Sequence, residues 1–182
     1  MRKKASIGKT QTMNKFDVFL SIEDKRWQSL AGVDEALVLK VKDAALKVVT
    51  GKVDFLRLPK NFALNLSLSD DKEVHRLNKA FRGADKPTNV LSFANIDDSD
   101  FLKMLDLEED VELGDVIMAF ETMQKEALSL EISLKDHFCH LWVHGMLHIL
   151  GYDHIIDAER LEMEKNEIEI LSTLGIENPY QE

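Results

Sequence analysis

Between residues 144 and 154 the chain reads His-Gly-Met-Leu-His-Ile-Leu-Gly-Tyr-Asp-His, which sets three imidazoles at relative positions 0, 4 and 10 with a glycine at 7. No other run constrains the fold as tightly. Residues four apart on a helix lie about 40° apart around its axis, so His144 and His148 project from one face. Glycine adopts the left-handed conformation that ends a helix, so the chain can turn at Gly151 and bring His154 back to the same point. Three neutral imidazoles fill three corners of a tetrahedron and leave the fourth to water, the donor set of a catalytic zinc ion. The expected cofactor is one Zn2+ per chain, held by His144, His148 and His154.

The spacing is that of the metzincin proteases with one change: position 145, where a protease carries its catalytic Glu, is Gly. A zinc peptidase needs a base beside the ion to take a proton from water and return it to the leaving amine. Gly145 cannot serve. Phosphodiester cleavage suits the residues present better, because activated water can attack phosphorus, or take the proton of a ribose 2′-hydroxyl, while a cation stabilises the phosphorane. The planar fork of arginine matches phosphate oxygens. Arg82, in a turn between a helix and a strand, is the best-placed candidate; its bland reading is a surface arginine paired with the acidic loop. The catalytic candidates are therefore Arg82 and His144.

Neighbouring residues carry two readings each. His140 lies one turn before His144, within about 40° of it; it either supports a ligand or touches substrate, or it is a partly buried structural histidine. Asp153 either orients an imidazole through its second nitrogen or supports the turn after Gly151. Tyr152 either closes the pocket or contacts substrate, or it packs beside that turn. His137, near the helix start, is expected to face solvent, His75 to be a surface residue, and Cys139, away from the His144 face, to be a packed thiol.

The net charge of −10 argues against general affinity for polyanions. Its distribution softens that conclusion. Residues 1–15 carry five positive charges and no negative ones, residues 97–115 carry nine acidic side chains and one lysine, and Arg76, Lys79, Arg82 and Lys86 cluster within eleven positions. A local basic track can exist on an acidic protein. No stretch approaches the ~18 apolar residues of a membrane span, and Cys139, the one cysteine, requires no oxidising compartment, so cytoplasm is the expected location.

Along the chain, residues 1–14 read as a flexible basic arm and 15–182 as one domain. Phe16–Ile22 and Phe62–Ser69 alternate as strands, with Asn89–Phe93 and Asp115–Phe120 as two further short ones. Helices are expected from the Asp34 cap to Val49, from the Asp70 cap to Phe81, over Glu121–Leu130, from the Ser133 cap to Leu150, and from an Asp157 cap to Leu174. The acidic segment 97–115 reads as a solvated loop with at most a helical turn. This order suggests an α+β fold, an α/β sandwich with a small sheet covered by about five helices and a metzincin-like metal helix.

Three blocks together resemble a known family. His144-Gly-Met-Leu-His-Ile-Leu-Gly-Tyr-Asp-His154 matches the pattern H-G-x-L-H-L-x-G-Y-D-H of the YbeY family, the bacterial rRNA-maturation endoribonucleases. Leu77-Asn78, Phe81-Arg82-Gly83 and Lys86-Pro-Thr-Asn-Val-Leu-Ser-Phe93 look like its L-N-x-x-[YF]-R-G-x-x-x-P-T-D-V-L-S-F block, and Leu113-Gly-Asp-Val-Ile-Met118 resembles its L-G-D-[IV]-x-I strand. The resemblance implies a mixed, mostly four-stranded sheet flanked by helices. It implies a metal-dependent, single-strand-specific endoribonuclease acting in maturation of the 16S rRNA 3′ end and in ribosome quality control, with His144, His148 and His154 as ligands and Arg82 as the functional arginine. Single-stranded rRNA and ribosomal small-subunit proteins or processing factors would be its partners. Asn89 stands where the family usually has Asp, and Ala119 where Ser or Cys is common. Two other classes stay open: a metal hydrolase of another substrate, peptidase-like, with its base supplied elsewhere, and a non-catalytic ribosome-assembly factor whose metal staples the helix turn.

Overall fold

The computed structural model describes residues 15–30 and 32–180, so the expected basic arm lies outside the described residues. Four strands, β1 (Phe16–Ile22), β2 (Asn61–Ser69), β3 (Val90–Ala94) and β4 (Asp110–Ala119), form one mixed sheet. The order is β1-β2-β4-β3, parallel except for β3, which runs antiparallel to β4 at one edge. Six α-helices surround it: α1 (Glu35–Val49), α2 (Asp71–Arg82), α3 (Phe101–Leu107), α4 (Phe120–Ser129), α5 (Leu134–Ile149) and α6 (Asp157–Thr173). This is the expected α+β class with one helix more than the sequence reading.

The alternation in β2 decides which face is the core. Phe62, Leu64, Leu66 and Leu68 are buried with Val111, Leu113, Val116 and Met118 of β4, under α1, α5 and α6. Removing such side chains from water stabilises by roughly 1.5–3 kcal/mol each. The opposite face carries a smaller cluster, where Val74 of α2 packs with Leu91 of β3 and Ala119 of β4. Asp34, Asp70 and Ser133 cap α1, α2 and α5 by accepting from the backbone N–H three residues on, at 2.8, 2.9 and 3.0 Å.

Two expectations need correction. The acidic segment is not a loop: it holds α3, whose Phe101 and Leu105 are buried, and the first half of β4. Val111 and Leu113 are buried while Asp110 and Glu112 face solvent, so a half-buried strand hid under its charges. Asp157 does not cap α6; Ile156 holds the cap position without a side-chain bond, and Asp157 is the first helical residue.

One contact sets the position of α5. A Cβ at Gly145 would lie 2.7 Å from Cγ1 of Val116 and 3.4 Å from Oγ of Ser92. The helix rests on β4 and β3 as closely as a backbone allows. The indole N–H of buried Trp142 donates to the Val38 carbonyl of α1 at 3.2 Å, fixing the helix from its other side.

Candidate metal centre

The α5 backbone carries His140, His144 and His148 one turn apart. After it, Gly151 takes φ +93°, a left-handed turn in which Gly151 N–H donates to the His148 carbonyl and Tyr152 N–H to that of Leu147, both at 3.0 Å. The turn returns His154 to its partners. Ring centroids lie 4.6 Å apart for His144 and His148, 5.0 Å for His148 and His154, and 5.7 Å for His144 and His154. One nitrogen from each ring can be chosen so that all three fall within 4.8 Å of one another, and these three residues are the group able to hold a metal ion among the described residues.

Hydrogen bonds behind the rings fix their tautomers. His148 Nδ1 lies 3.0 Å from the Tyr152 carbonyl, which can only accept, so that nitrogen carries the proton. His144 Nδ1 donates to Oε1 of Glu167 at 2.8 Å. In neutral rings both Nε2 atoms are then bare, and they face each other at 3.1 Å. Two lone pairs at that distance repel unless a cation or proton lies between them. Tetrahedral zinc with Zn–N near 2.05 Å would hold two such nitrogens about 3.3 Å apart, so the donors fit that ion. Burial, followed by the neighbouring His144 and His154, pushes the His148 pKa down to about 4, which keeps the ring neutral.

Glu167 of α6 is the residue the sequence reading missed. It is fully buried and takes hydrogen bonds from His144, from His140 Nε2 at 3.3 Å, and from the Tyr180 hydroxyl. Burial alone would raise its pKa, but those donors outweigh it and bring the carboxyl to about 2. It is an anion that locks the His144 ring, the kind of support a metal-bound histidine requires. A signal existed: Glu167 lies four residues after Met163 and three and four before Ile170 and Leu171, all buried, so a carboxylate occupied the apolar side of the helix.

The remaining candidates sort by contact. His140 shares Glu167 with His144, also meets the Tyr180 hydroxyl, and stands one turn behind the three-histidine cluster. Asp153 makes no imidazole bond; its Oδ1 accepts from the His154 backbone N–H at 2.7 Å and so shapes the turn. His137 is buried rather than solvent-facing, because Glu126 of α4 meets its Nε2 at 2.9 Å. His75 is a surface partner of Asp85, and Cys139 is a packed thiol whose pKa burial raises to about 11.

Arg82 forms the facing wall. It lines one cavity of about 580 Å³ with His144, His148 and His154, and Lys86, Thr88 and Ser92 complete that wall. Its Nη2 donates to the Ser92 carbonyl at 2.8 Å, so it is not spent on the acidic loop. Arg76 and Lys79, by contrast, pair with Glu73 and Asp85.

A family profile described as Endoribonuclease YbeY matches residues 28–175. The chain belongs to that family. Among its relatives, the Endoribonuclease YbeY of Paramagnetospirillum magneticum is 51% identical over 119 residues, 65% of this chain and 71% of that one. That of Agrobacterium fabrum is 38% identical over 175 residues, 92% of this chain and 96% of that one. The solution structure of TM1509 from Thermotoga maritima shares the fold, with TM-score 0.51 and 20% identity over 91% of this chain and 99% of that one.

The departures from the YbeY pattern now have surroundings. Asn89 donates from Nδ2 to Glu126 Oε2 at 2.8 Å, the same oxygen that faces His137, and its Oδ1 accepts from Val90 N–H at 2.7 Å. An Asp here would set two carboxylates against each other, so the amide suits this chain's Glu126. Ala119 is fully buried against Val74 and Leu91, on the sheet face opposite α5.

Proposed function

We propose that this protein is a metal-dependent endoribonuclease that cuts single-stranded RNA, with one zinc ion held by His144, His148 and His154 and the scissile phosphate bound by Arg82. The observation that carries the reading is the pair of bare Nε2 atoms meeting at 3.1 Å in the cavity that Arg82 also lines. When bound, zinc supplies Lewis acidity and acidifies water at neutral pH. The chain does the rest. Arg82 meets the phosphate and, through its bond to Ser92, presents its fork to the cavity. Glu167 and the Tyr152 carbonyl keep the His144 and His148 lone pairs aimed inward.

Family membership supports RNA as the substrate. It also supports the finer reading that the protein acts in the cytoplasm, in maturation of the 16S rRNA 3′ end and in ribosome quality control, with ribosomal small-subunit proteins or processing factors as partners. Targeting through proteins suits a chain of net charge −10, whose bulk affinity for RNA is poor. At Gly145 Val116 crowds any side chain, so a peptidase reading would have to draw its base from another residue.

The test incubates the zinc-loaded protein with single-stranded and duplex RNA of one sequence, with and without chelator, beside His148→Ala and Arg82→Ala. Cleavage should need the single strand, the metal and both side chains. A His148→Ala protein with full activity sinks the proposal. Folded protein that never cuts RNA and releases metal only on unfolding supports the assembly-factor reading. A cyclic phosphate at the product ends would assign the attack to the 2′-hydroxyl.

A further inference from the structure

Phe81, the residue before Arg82, is 69% exposed although it lies on the side of α2 that meets the sheet edge. Its ring is not loose. Phe93 of β3 braces it edge-on, with centroids 5.4 Å apart and planes at 71°. Phe93 in turn lies 5.9 Å from the Arg82 guanidinium. The order in space is cavity, arginine, braced ring, open ring.

The sheet edge explains this order. Among the described residues strand β3 pairs only with β4, so its outer side is an edge, and there the Ser92 carbonyl receives Arg82. Side chains alternate along the strand. Ser92 approaches α5 beside the histidines, whereas Phe93 packs with Leu77 and Ile117 on the α2 face. Arg82 therefore crosses the strand edge from the Phe81 side to the metal side. The one carboxylate of the following turn, Asp85, is drawn off by His75 and Lys79 at 2.7 and 2.8 Å, so no anion of that turn guards the ring.

We propose that Phe81, braced by Phe93, is a stacking platform for an unpaired RNA base next to the phosphate that Arg82 engages. The proposal rests on the endoribonuclease reading and adds a physical source for strand preference. A base face is free to cover Phe81 only when it has left its helix. Every base has such a face, so the platform selects single strands without selecting sequence.

The experiment uses the zinc-loaded full chain with Phe81→Leu, which keeps an apolar cover on Phe93 but has no π face, and Phe81→Trp, which restores one. The probe is a single-stranded RNA carrying 2-aminopurine, compared with the same strand made abasic at that position. Wild type should quench the probe on mixing, before cleavage. Phe81→Leu should raise KM roughly 5- to 100-fold, abolish the quench and leave kcat nearly unchanged; Phe81→Trp should recover both, and the abasic strand should erase the difference. Phe81→Leu with unchanged KM and quench, in a wild type that does cut RNA, overturns the platform alone. So does a fall in melting temperature with unchanged KM, which would make Phe81 a cover for Phe93. A wild type that cuts no RNA overturns the platform together with the reading beneath it.

Discussion

The two walls of the cavity are built to different rules. The histidine wall is pinned from behind: α5 touches the sheet through Gly145, and a buried anion, Glu167, grips two of its rings. On the facing wall the Arg82 side chain is held by a hydrogen bond to a strand edge and stands beside the half-buried Phe93 ring, which the exposed Phe81 covers. A rigid donor set suits an ion that tolerates little change in geometry, since misplaced ligands lose it. A long arginine side chain tethered at one point suits a flexible polymer whose phosphates must find it. Mutations should therefore divide into those that cost metal and those that cost substrate.

The strongest test of that division is His148→Ala, which should remove stoichiometric zinc, read by elemental analysis, and lower cleavage by at least about 1000-fold. Arg82→Ala should lower cleavage by about 100-fold with zinc content unchanged; loss of zinc here would break the comparison. Glu167→Gln keeps the shape but weakens the grip on His144 and His140, and should lower zinc affinity roughly 10- to 100-fold in competition with a chromophoric chelator. An unchanged affinity would reduce Glu167 to a structural anion. Smallest in catalytic effect, Gly145→Ala forces a methyl onto Val116 and should destabilise by about 1–3 kcal/mol, read by denaturant unfolding.

The histidine wall also predicts how the metal-free protein responds to acid. His148 titrates near 4 in the fold and at about 6.5 when unfolded, so between those values the unfolded chain binds more protons and stability falls as pH drops. Glu167, held near 2 against about 4.3 unfolded, contributes stability that is complete above pH 4.3 and lost as pH falls toward 2. Melting temperature should decline in two adjoining windows. His148→Ala should flatten the upper one and Glu167→Gln should weaken the lower one, to which Glu121 and Glu126, also held below the usual carboxylate range, contribute as well; Arg82→Ala should leave both in place.

Much of this was legible in the chain. Capping residues and alternation located α1, α2, α5 and β2, because those signals act over a few residues. The three-histidine cluster was legible for the same reason, since one helix and one turn place it. The acidic segment misled because nine carboxylates hid the burial of Phe101, Leu105, Val111 and Leu113, a pattern that emerges only once one strand face has a sheet to cover. His137 misled because its partner Glu126 comes from another helix.

By itself, then, the sequence determined the three-histidine run and the peptidase base it lacks, both local matters of residue type and helical period. Only the tertiary structure decided what stands behind and opposite that run. Glu167 is 23 residues from His144 and reaches it because α6 packs against α5. Arg82 shares its cavity because α2 ends beside the edge strand β3, whose Ser92 carbonyl receives it. Gly145 is glycine where β4 presses against the helix. Such contacts join segments distant in the chain, and no local periodicity records them.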